Sequence, residues 1–400
     1  MQNSPFPIAP ALWVRTIPGP MPEKRYKTII IGAGIIGTSI AYHLAKRGAT
    51  GIAVLEKEIN PGMGSTAKAA GGIRAQFGSA INIELSHHSI PAFETFPEEM
   101  GIDVDFFQAG YLWLATQESE MEIFRKNVSL QQAHGVKSEL LTPEEIAKIA
   151  PYIKIEDIIG GTFHDRDGYA PPADYVMGYH KKSKAAGVDY HLECTVTGFD
   201  GNRIETNQGT FEAETVVCTA GAWMGKIGTM LDLSIPVEPI RRQCFVTEPI
   251  RNGLDHPIPM TVDFTSGIYM HSESSGVLIG KADKMEPSSF NENVDYPFVE
   301  HMAELAMERT PILEEATIQT SWGGLYGVTP DHHPILGPLP QRPGYYIAAG
   351  FSGHGFMHAP ATGLVMAELL LDGQASTIDI DLLRFDRFEK NNLIQETHVI

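Results

Sequence analysis

The feature that most constrains this chain is a glycine-rich turn between two apolar segments near its start. Residues 28–31 form an unbroken apolar run, which is typical of a parallel strand buried on both faces. The turn Gly32-Ala33-Gly34-Ile35-Ile36-Gly37 follows, and then a helical pattern that ends at Gly48. A second apolar run spans 52–55. Strand, glycine turn, helix and strand in this order predict a βαβ unit that binds a dinucleotide.

The three glycines of the turn have different expected roles. Gly32 permits the tight turn, Gly34 lets the backbone approach a pyrophosphate, and Gly37 lets the helix pack closely on the strand. The start of the helix offers free N–H groups and a positive dipole end to the phosphates. Glu56 ends the second strand, where a carboxylate can accept hydrogen bonds from ribose hydroxyls. The alternative is a glycine-rich turn that binds no ligand.

Composition narrows the class of protein. The 400 residues are 43% hydrophobic and 20% charged, as in a soluble protein of one large or two medium domains. The net charge of −19 argues against nucleic acid or an anionic membrane as a partner, and no apolar run is long enough to span a membrane. Cys194, Cys218 and Cys244 have the spacing of neither a disulfide framework nor a zinc site. We therefore expect free thiols, no metal, and a reducing, cytoplasmic location.

The order of patterns along the chain predicts two domains of different layer type. Apolar strands that run into glycines recur at 215–223 and 345–350, so separate parts of the chain should complete one parallel sheet with helices. Residues 237–322 instead alternate with period two around one helix at about 297–310, which indicates an antiparallel sheet. The expected division is a Rossmann-like α/β nucleotide domain at 27–103, 156–236 and 325–388, an α+β substrate domain at 104–155 and 237–324, and a proline-rich arm at 1–26 that lies on the surface or on a partner.

Four motifs in register resemble those of a known family. They are the glycine turn, GSTAKAAGGIR at 64–74, WGGLYGVTPDHHPILG at 322–337 and AAGFSGHGFMHAPATG at 348–363. Together they resemble the FAD-dependent amine oxidoreductases of the D-amino-acid oxidase superfamily. The chain is most similar to the sarcosine oxidase β subunit, the β subunit of archaeal L-proline dehydrogenase and the flavin domain of dimethylglycine dehydrogenase. The resemblance covers residues 27 to about 388.

The resemblance implies FAD bound in extended form. Its ADP half would lie on the glycine turn and its ring under the 64–74 loop, whose small residues let the backbone press against a flat ring. Backbone N–H groups of 350–357 would lie near the pyrimidine edge, where a helix N-terminus stabilises the negative charge of reduced flavin. The residues expected to bind FAD are Gly32, Gly34, Ile35, Ile36, Gly37, Glu56, Lys57, Gly64, Ser65, Thr66, Ala70, Gly71, Gly72, Ile73, Val196, Ala220, Gly221, Trp223, Gly324, Tyr326, Gly350, Phe351, Ser352, Gly353, His354, Gly355, Phe356 and Met357.

Departures from the relatives bear on flavin attachment and on the electron acceptor. Gly324 stands where monomeric sarcosine oxidase has the cysteine that binds flavin covalently, and Lys68 stands where dimethylglycine dehydrogenase uses a histidine. We therefore predict non-covalent FAD. Leu278 aligns with the lysine that promotes reaction with oxygen, although Lys281 is close by. This favours a dehydrogenase over an oxidase.

The resemblance also implies the reaction: a hydride passes from the carbon next to an amine nitrogen to flavin N5, and water then hydrolyses the imine. The expected substrate is a secondary or tertiary amine of a small N-substituted amino acid, such as sarcosine, dimethylglycine or proline. Met357 and Gly353 replace the carboxylate anchors of relatives, which leaves Arg74 as the best cation, under the ring or on the substrate. The other expected pocket residues are Tyr269, His271, Tyr326 and His354, each with a core role as the alternative. Arg241, Arg242 and Lys281 are expected to be solvated surface charges.

Other functions fit the same sequence. The chain could be the catalytic β subunit of a hetero-oligomer that passes electrons to a partner subunit, or a flavin-binding subunit without catalysis. Relatives with this fold also oxidise C–OH groups, so a 2-hydroxy-acid or glycerol-3-phosphate oxidoreductase is a further alternative. The electron acceptor is oxygen, a quinone or a partner protein, and the sequence does not choose among them.

Overall fold

The computed structural model describes residues 24–250 and 254–398, so nearly all of the predicted N-terminal arm lies outside the described residues. The strands, in chain order, are β1 (Lys24–Ile31), β2 (Ile52–Leu55), β3 (Gly72–Ile73), β4 (Tyr111–Ala115), β5 (Glu139–Leu141), β6 (Gly160–His164), β7 (Gly168–Tyr169), β8 (Asp189–His191), β9 (Val196–Asp200), β10 (Arg203–Thr206), β11 (Gly209–Cys218), β12 (Glu238–Thr247), β13 (Met260–Asp263), β14 (Ile268–Glu273), β15 (Gly276–Lys281), β16 (Ile318–Val328), β17 (Ile335–Pro338) and β18 (Tyr345–Ala349). The α-helices are α1 (Ile35–Lys46), α2 (Ala80–Glu94), α3 (Phe96–Met100), α4 (Glu118–Ala133), α5 (Pro143–Ile149), α6 (Pro172–Ala185), α7 (Met224–Met230), α8 (Tyr296–Arg309) and α9 (Gly355–Asp372).

The first sheet joins distant parts of the chain. Its order is β17-β18-β11-β1-β2-β8, and the pairs among β18, β11, β1, β2 and β8 are parallel. Ile30 packs on one face with α1, α6 and α9, whereas Ile29 and Ile31 pack on the other face with α7. Burial on both faces explains why β1 reads as an unbroken apolar run. The prediction of a discontinuous, Rossmann-like parallel sheet is confirmed.

The second sheet has the order β16-β12-β15-β14-β13-β4-β6-β5. Its pairs are antiparallel except β13–β4, which is parallel. One face is covered by α8, whose Val299 and Met302 pack with Phe245 and Met270. This is the predicted antiparallel sheet with a helix. The predicted domain boundary at 156 would assign β6 to the nucleotide domain, but β6 pairs with β4 and β5 in the second sheet.

Several local predictions differ from the structure. The helix expected at 81–100 is two helices, α2 and α3, because Pro97 lacks the N–H that a continuous helix would use. In the segment 104–115 the regular strand is confined to β4. The helix expected from 359 begins at Gly355, one residue after the left-handed residues Ser352 and Gly353. Among the described residues, no helix combines the length and the hydropathy that a membrane span requires.

Candidate active site

A cavity of about 380 Å³ lies along the carboxyl edge of the first sheet. We call it the main cavity. Its wall includes Gly32, Glu56, Thr219 and Gly350, which directly follow β1, β2, β11 and β18. Ligands of open α/β sheets bind at this edge, and the volume falls within the ~300–1,000 Å³ typical of small-molecule sites.

The glycines of the first turn divide into two kinds. Gly32 has φ +108°, and a Cβ there would lie 2.7 Å from the Thr219 carbonyl oxygen. A Cβ on Gly37 would lie 2.0 Å from the Gly32 carbonyl oxygen. The protein's own packing therefore requires both glycines. At Gly34 the one atom within 4 Å of an added Cβ is Thr66 Oγ1, at 3.5 Å, so the missing side chain leaves open space in the cavity wall.

The wall of the main cavity suits an anion followed by a ribose. Helix α1 has no side-chain cap at Gly34 and no acidic residue in its first turn, so its N-terminus presents a positive dipole end. The Ile35 N–H donates to Thr66 Oγ1 at 3.2 Å. The Glu56 carboxylate accepts from the N–H groups of Ala33 (2.6 Å) and Glu58 (2.9 Å), which fix its position at the end of β2. Burial raises the pKa of Glu56, and these two hydrogen bonds oppose that rise.

A smaller space of about 80 Å³, which we call the inner chamber, adjoins the main cavity. The two share Ala69, Tyr326, Ser352, Gly353 and Phe356 in their walls. The remaining wall comes from the loop after β2, from the second sheet and from the start of α9, so the inner chamber lies where the two sheets meet. Those other lining residues are Ala70, Gly71, Gly72, Arg74, Tyr111, Arg242, Met260, Tyr269, Ala282, His354 and Met357.

Three tyrosines face the inner chamber. Burial raises the pKa of Tyr111, Tyr269 and Tyr326, so each hydroxyl stays protonated at neutral pH. Glycines make room for two of the rings: an added Cβ would lie 2.3 Å from the Tyr269 hydroxyl at Gly280 and 2.4 Å from the Tyr326 ring at Gly353. The chamber is thus lined by neutral hydroxyl groups in fixed positions.

Two arginines also line the inner chamber. Arg74 is buried, with Nη2 donating to the His398 carbonyl at 2.8 Å and Nη1 donating to the Gln76 carbonyl. Arg242 is half-buried; its Nη1 donates to the Arg241 carbonyl at 2.9 Å, and its guanidinium carbon lies 5.3 Å from the centre of the Tyr326 ring. Its Nε has no hydrogen-bond partner within the described part of the chain. The expectation that Arg242 is a solvated surface charge is therefore wrong.

The other two cations of that expectation lie outside the inner chamber. Arg241 is buried and forms an ion pair with Glu286 at 2.8 Å, so it too is not a solvated charge. Lys281 is half-buried, donates to the Ser266 carbonyl and lines a separate cavity beside α8. Alternation along β12 explains the difference between the two adjacent arginines, because successive side chains of a strand point to opposite faces.

The two predicted pocket histidines have different surroundings. His354 lines the inner chamber directly before α9, and burial, with help from the nearby Arg74 charge, holds its pKa well below the ordinary value. It is therefore a neutral group at pH 7. His271 does not line the chamber; its ring nitrogens lie 2.7 Å from the Ser272 carbonyl and 2.8 Å from the Ala70 carbonyl. It supports the loop behind the chamber wall instead.

Most residues expected to bind the cofactor come together in the structure. Those in the wall of the main cavity are Gly32, Gly34, Ile35, Ile36, Glu56, Lys57, Gly64, Ser65, Thr66, Val196, Ala220, Gly221, Trp223, Tyr326, Gly350, Phe351, Ser352, Gly353, Gly355 and Phe356. Those in the inner chamber alone are Ala70, Gly71, Gly72, His354 and Met357. Gly37, Ile73 and Gly324 line neither space. Thr219 also lines the main cavity and follows an apolar strand as Gly32 does, a signal that could have identified it, whereas no sequence pattern marks Tyr111 and Met260 as lining residues of the inner chamber.

The family model described as FAD dependent oxidoreductase (DAO) matches residues 27–369. The chain belongs to this family. It is therefore an FAD-dependent oxidoreductase, and FAD is its cofactor. The glycine wall, the N-terminus of α1 and the buried carboxylate of the main cavity fit that cofactor.

Three similar proteins illustrate the family. FAD-dependent oxidoreductase domain-containing protein 1 of Xenopus laevis is 30% identical over 435 residues, covering 96% of this chain and 86% of that protein. Mitochondrial dimethylglycine dehydrogenase of Rattus norvegicus is also 30% identical, over 92% of this chain, but the chain spans only 45% of that protein. The crystal structure of L-proline dehydrogenase from P. horikoshii superposes with a TM-score of 0.87 at 32% identity, covering 93% of this chain and 100% of that one.

Buried histidines make the fold sensitive to acid. Burial lowers the pKa of His43, His271 and His398 to about 4 and that of His358 to about 3, from an ordinary value of 6.5. At a pH well above 6.5 these groups are neutral in both the folded and the unfolded state and have no effect on stability. As the pH falls from 6.5 towards 4, the unfolded chain takes up protons that the folded chain does not, so the free energy of unfolding must fall.

We expect urea unfolding midpoints to drop between pH 7 and pH 5. The His271→Gln variant should show a shallower drop, whereas His301→Gln, which replaces an exposed histidine on α8, should retain the full drop. A midpoint that stays constant or rises over this range would contradict the assignment of neutral buried histidines.

Proposed function

We propose that this FAD-dependent oxidoreductase oxidises a secondary or tertiary amine of a small, carboxylate-bearing substrate in the inner chamber. The observation that carries the proposal is the pairing of Arg74 and Arg242 with neutral tyrosines in a chamber of about 80 Å³ beside the main cavity. An arginine fork suits a carboxylate, and the small volume suits a small amino acid. The names of two similar proteins, dimethylglycine dehydrogenase and L-proline dehydrogenase, support the same substrate class.

In this proposal the main cavity holds FAD, with the pyrophosphate at the start of α1 and the ribose at Glu56. Bound FAD supplies one chemical capacity, the acceptance of a hydride from the carbon next to nitrogen. The substrate becomes an imine, which water hydrolyses to a carbonyl compound and an amine. The part played by the chain is to bind the carboxylate, orient the C–H bond and limit access of water.

The charges of the chamber also favour the reactive form of the amine. Hydride loss requires a nitrogen lone pair, so the substrate must react as a neutral amine. Arg74 and Arg242 are like charges for an ammonium group and lower its pKa when it binds. His354 and the tyrosine hydroxyls are neutral at pH 7, so they do not offset this effect.

Anaerobic bleaching of the bound flavin tests the proposal. Sarcosine, dimethylglycine and L-proline are compared with glycolate, L-lactate and glycerol 3-phosphate at equal concentrations, and the absorbance of oxidised flavin is followed. We expect at least one of the N-substituted amino acids to bleach the flavin within seconds to minutes. Bleaching by the hydroxy compounds alone would transfer the function to C–OH oxidation, and bleaching by none of them would favour a flavin-binding subunit without catalysis.

We also infer that FAD is bound without a covalent bond. Gly324 and Lys68 occupy the positions of the covalent attachments seen in relatives, and they pack against each other. A Cβ on Gly324 would lie 2.7 Å from Lys68 Cβ, and Lys68 Nζ forms an ion pair with Glu292 at 2.6 Å. Neither residue lines the main cavity or the inner chamber.

Acid precipitation is expected to release the flavin into the supernatant and to leave a colourless pellet. A yellow pellet, or a fluorescent band on a denaturing gel, would show that the linkage is covalent.

We favour a dehydrogenase over an oxidase, because the described residues of the inner chamber include no lysine that could promote the reaction with oxygen.

A further inference from the structure

The last described residues of the chain pass beside the inner chamber. We call residues 394–398 the tail. His398 is fully buried, and its ring stacks on Trp113 with centroids 4.6 Å apart and an interplanar angle of 12°. A second ring, that of Phe124, meets it edge-on at 5.5 Å. The tail is thus anchored against the second sheet by its buried last described residue, while Gln395 and Thr397 remain exposed.

Glu396 fixes the tail in this position. Its Oε1 accepts from the N–H groups of Gly78 (2.7 Å) and His398 (3.0 Å). Its Oε2 accepts from Ser79 Oγ at 2.8 Å and from Asn82 Nδ2 at 3.0 Å. Four donors to one carboxylate define a single placement of the backbone around it.

The segment of residues 76–82 leaves room for the tail. A Cβ on Gly78 would lie 2.1 Å from Thr397 Oγ1, so any larger residue would have to displace the Thr397 side chain. Asn127 Nδ2 donates to the same hydroxyl at 3.0 Å. Contacts of both backbone and side chains therefore hold the tail against residues 76–82 and α4.

The tail contacts Arg74, which lines the inner chamber. The His398 carbonyl accepts from Arg74 Nη2 at 2.8 Å, while the Gln76 carbonyl accepts from Nη1. The Arg74 guanidinium carbon lies 3.8 Å from the centre of the Phe77 ring and 5.1 Å from that of Trp113, the ring on which His398 stacks. The tail therefore completes the side of the Arg74 site that faces away from the chamber.

We propose that the tail is a positioning element that holds the Arg74 guanidinium towards the inner chamber and thereby sets the affinity for the carboxylate of the substrate. The proposal rests on the proposed function of the inner chamber. Without the His398 carbonyl, Arg74 keeps only the Gln76 carbonyl as a fixed acceptor, so its guanidinium can rotate and no longer presents a fixed face to the chamber. A pre-organised cation binds an anion better than a mobile one, because less side-chain freedom is lost on binding.

A chain that ends after Thr397 tests this directly in the flavin-loaded protein. The probes are pyrrole-2-carboxylate and uncharged pyrrole, neither of which has a hydrogen on a saturated carbon next to nitrogen. Binding is read from the perturbation of the flavin absorbance spectrum. We expect the dissociation constant for pyrrole-2-carboxylate to rise at least about tenfold, the loss expected for a charge-assisted hydrogen bond, and that for pyrrole to stay within about twofold.

Two further variants separate positioning from general destabilisation. Glu396→Gln keeps the whole chain but weakens the anchor of the tail. The dissociation constant for pyrrole-2-carboxylate should rise by less than in the shortened chain, and that for pyrrole should again stay nearly unchanged. Val299→Ala removes buried methyl groups from α8, away from the tail. It should lower the free energy of unfolding without changing the ratio of the dissociation constants for the two probes.

If the shortened chain loses affinity equally for both probes, or loses no affinity for pyrrole-2-carboxylate, the proposal is overturned while the proposed function stands. A wild-type protein that binds pyrrole-2-carboxylate no better than pyrrole would instead refute the carboxylate site itself, and the role of the tail with it.

Discussion

A Gly34→Leu variant is expected to fold normally and to be isolated without its yellow cofactor. The added side chain enters open space in the wall of the main cavity, because Thr66 Oγ1 at 3.5 Å is the one atom within 4 Å of the new Cβ. Gly34 has φ −69°, which any residue can adopt, so the unfolding free energy should fall by only about 1 kcal/mol through a poorer helix cap. Overpacking against FAD costs about 1–3 kcal/mol, and we expect its dissociation constant to rise by about 100-fold.

The matched control is Gly37→Ala, three residues further along the same turn. Its Cβ would lie 2.0 Å from the backbone oxygen of Gly32, so this much smaller change should destabilise the apoprotein itself. Thermal unfolding of the apoprotein and titration with FAD measure the two effects separately. A Gly34→Leu protein that retains wild-type flavin content would show that the cofactor does not approach this turn.

The second large effect is expected at Arg74. Arg74→Met should lower kcat/KM for a carboxylate-bearing amine by about 30- to 5,000-fold, because truncating one partner of a buried charge pair costs about 2–5 kcal/mol. The same variant should change the rate with an uncharged amine, such as pyrrolidine, much less. Arg74→Lys retains the charge but not the planar fork, so it should recover only part of the loss.

Arg242→Met provides the comparison within the same chamber. Arg242 is half-buried, and a partly exposed ion pair contributes about 1 kcal/mol or less, so we expect a loss of about fivefold. Circular dichroism and flavin content verify that each variant is folded and loaded. A larger loss in Arg242→Met than in Arg74→Met would assign the carboxylate to Arg242 instead.

The sequence predicted the parts of the molecule that depend on local patterns. The glycine turn, the apolar strands and the position of Glu56 at the end of β2 could be predicted because they depend on neighbours within one βαβ unit. The starts of helices were harder, since α9 begins at Gly355 through the left-handed turn at Ser352 and Gly353. That turn is set by packing against Tyr326, which lies elsewhere in the sequence.

The inner chamber could be predicted only in part, because its wall comes from contacts between the two sheets. Arg241 and Arg242 are neighbours in β12 with the same chemistry, and only the direction of each side chain decides which one lines the chamber. His271 has the right residue type on the right strand but is covered by Ala70. The contact between Arg74 and His398 joins residues far apart in the chain, so no local sequence pattern predicts it.

The pairing of β1 with β11, and of β11 with β18, also governs when the protein can acquire its cofactor during synthesis. The glycine turn at 32–37 leaves the ribosome before Gly350 and α9, which contribute another part of the wall of the main cavity. Nascent chains that stop before β18 lack one side of the binding site and expose the apolar edge of β11. FAD can therefore bind fully only after β18 and α9 have been synthesised, and the exposed edge of β11 needs protection from aggregation until then.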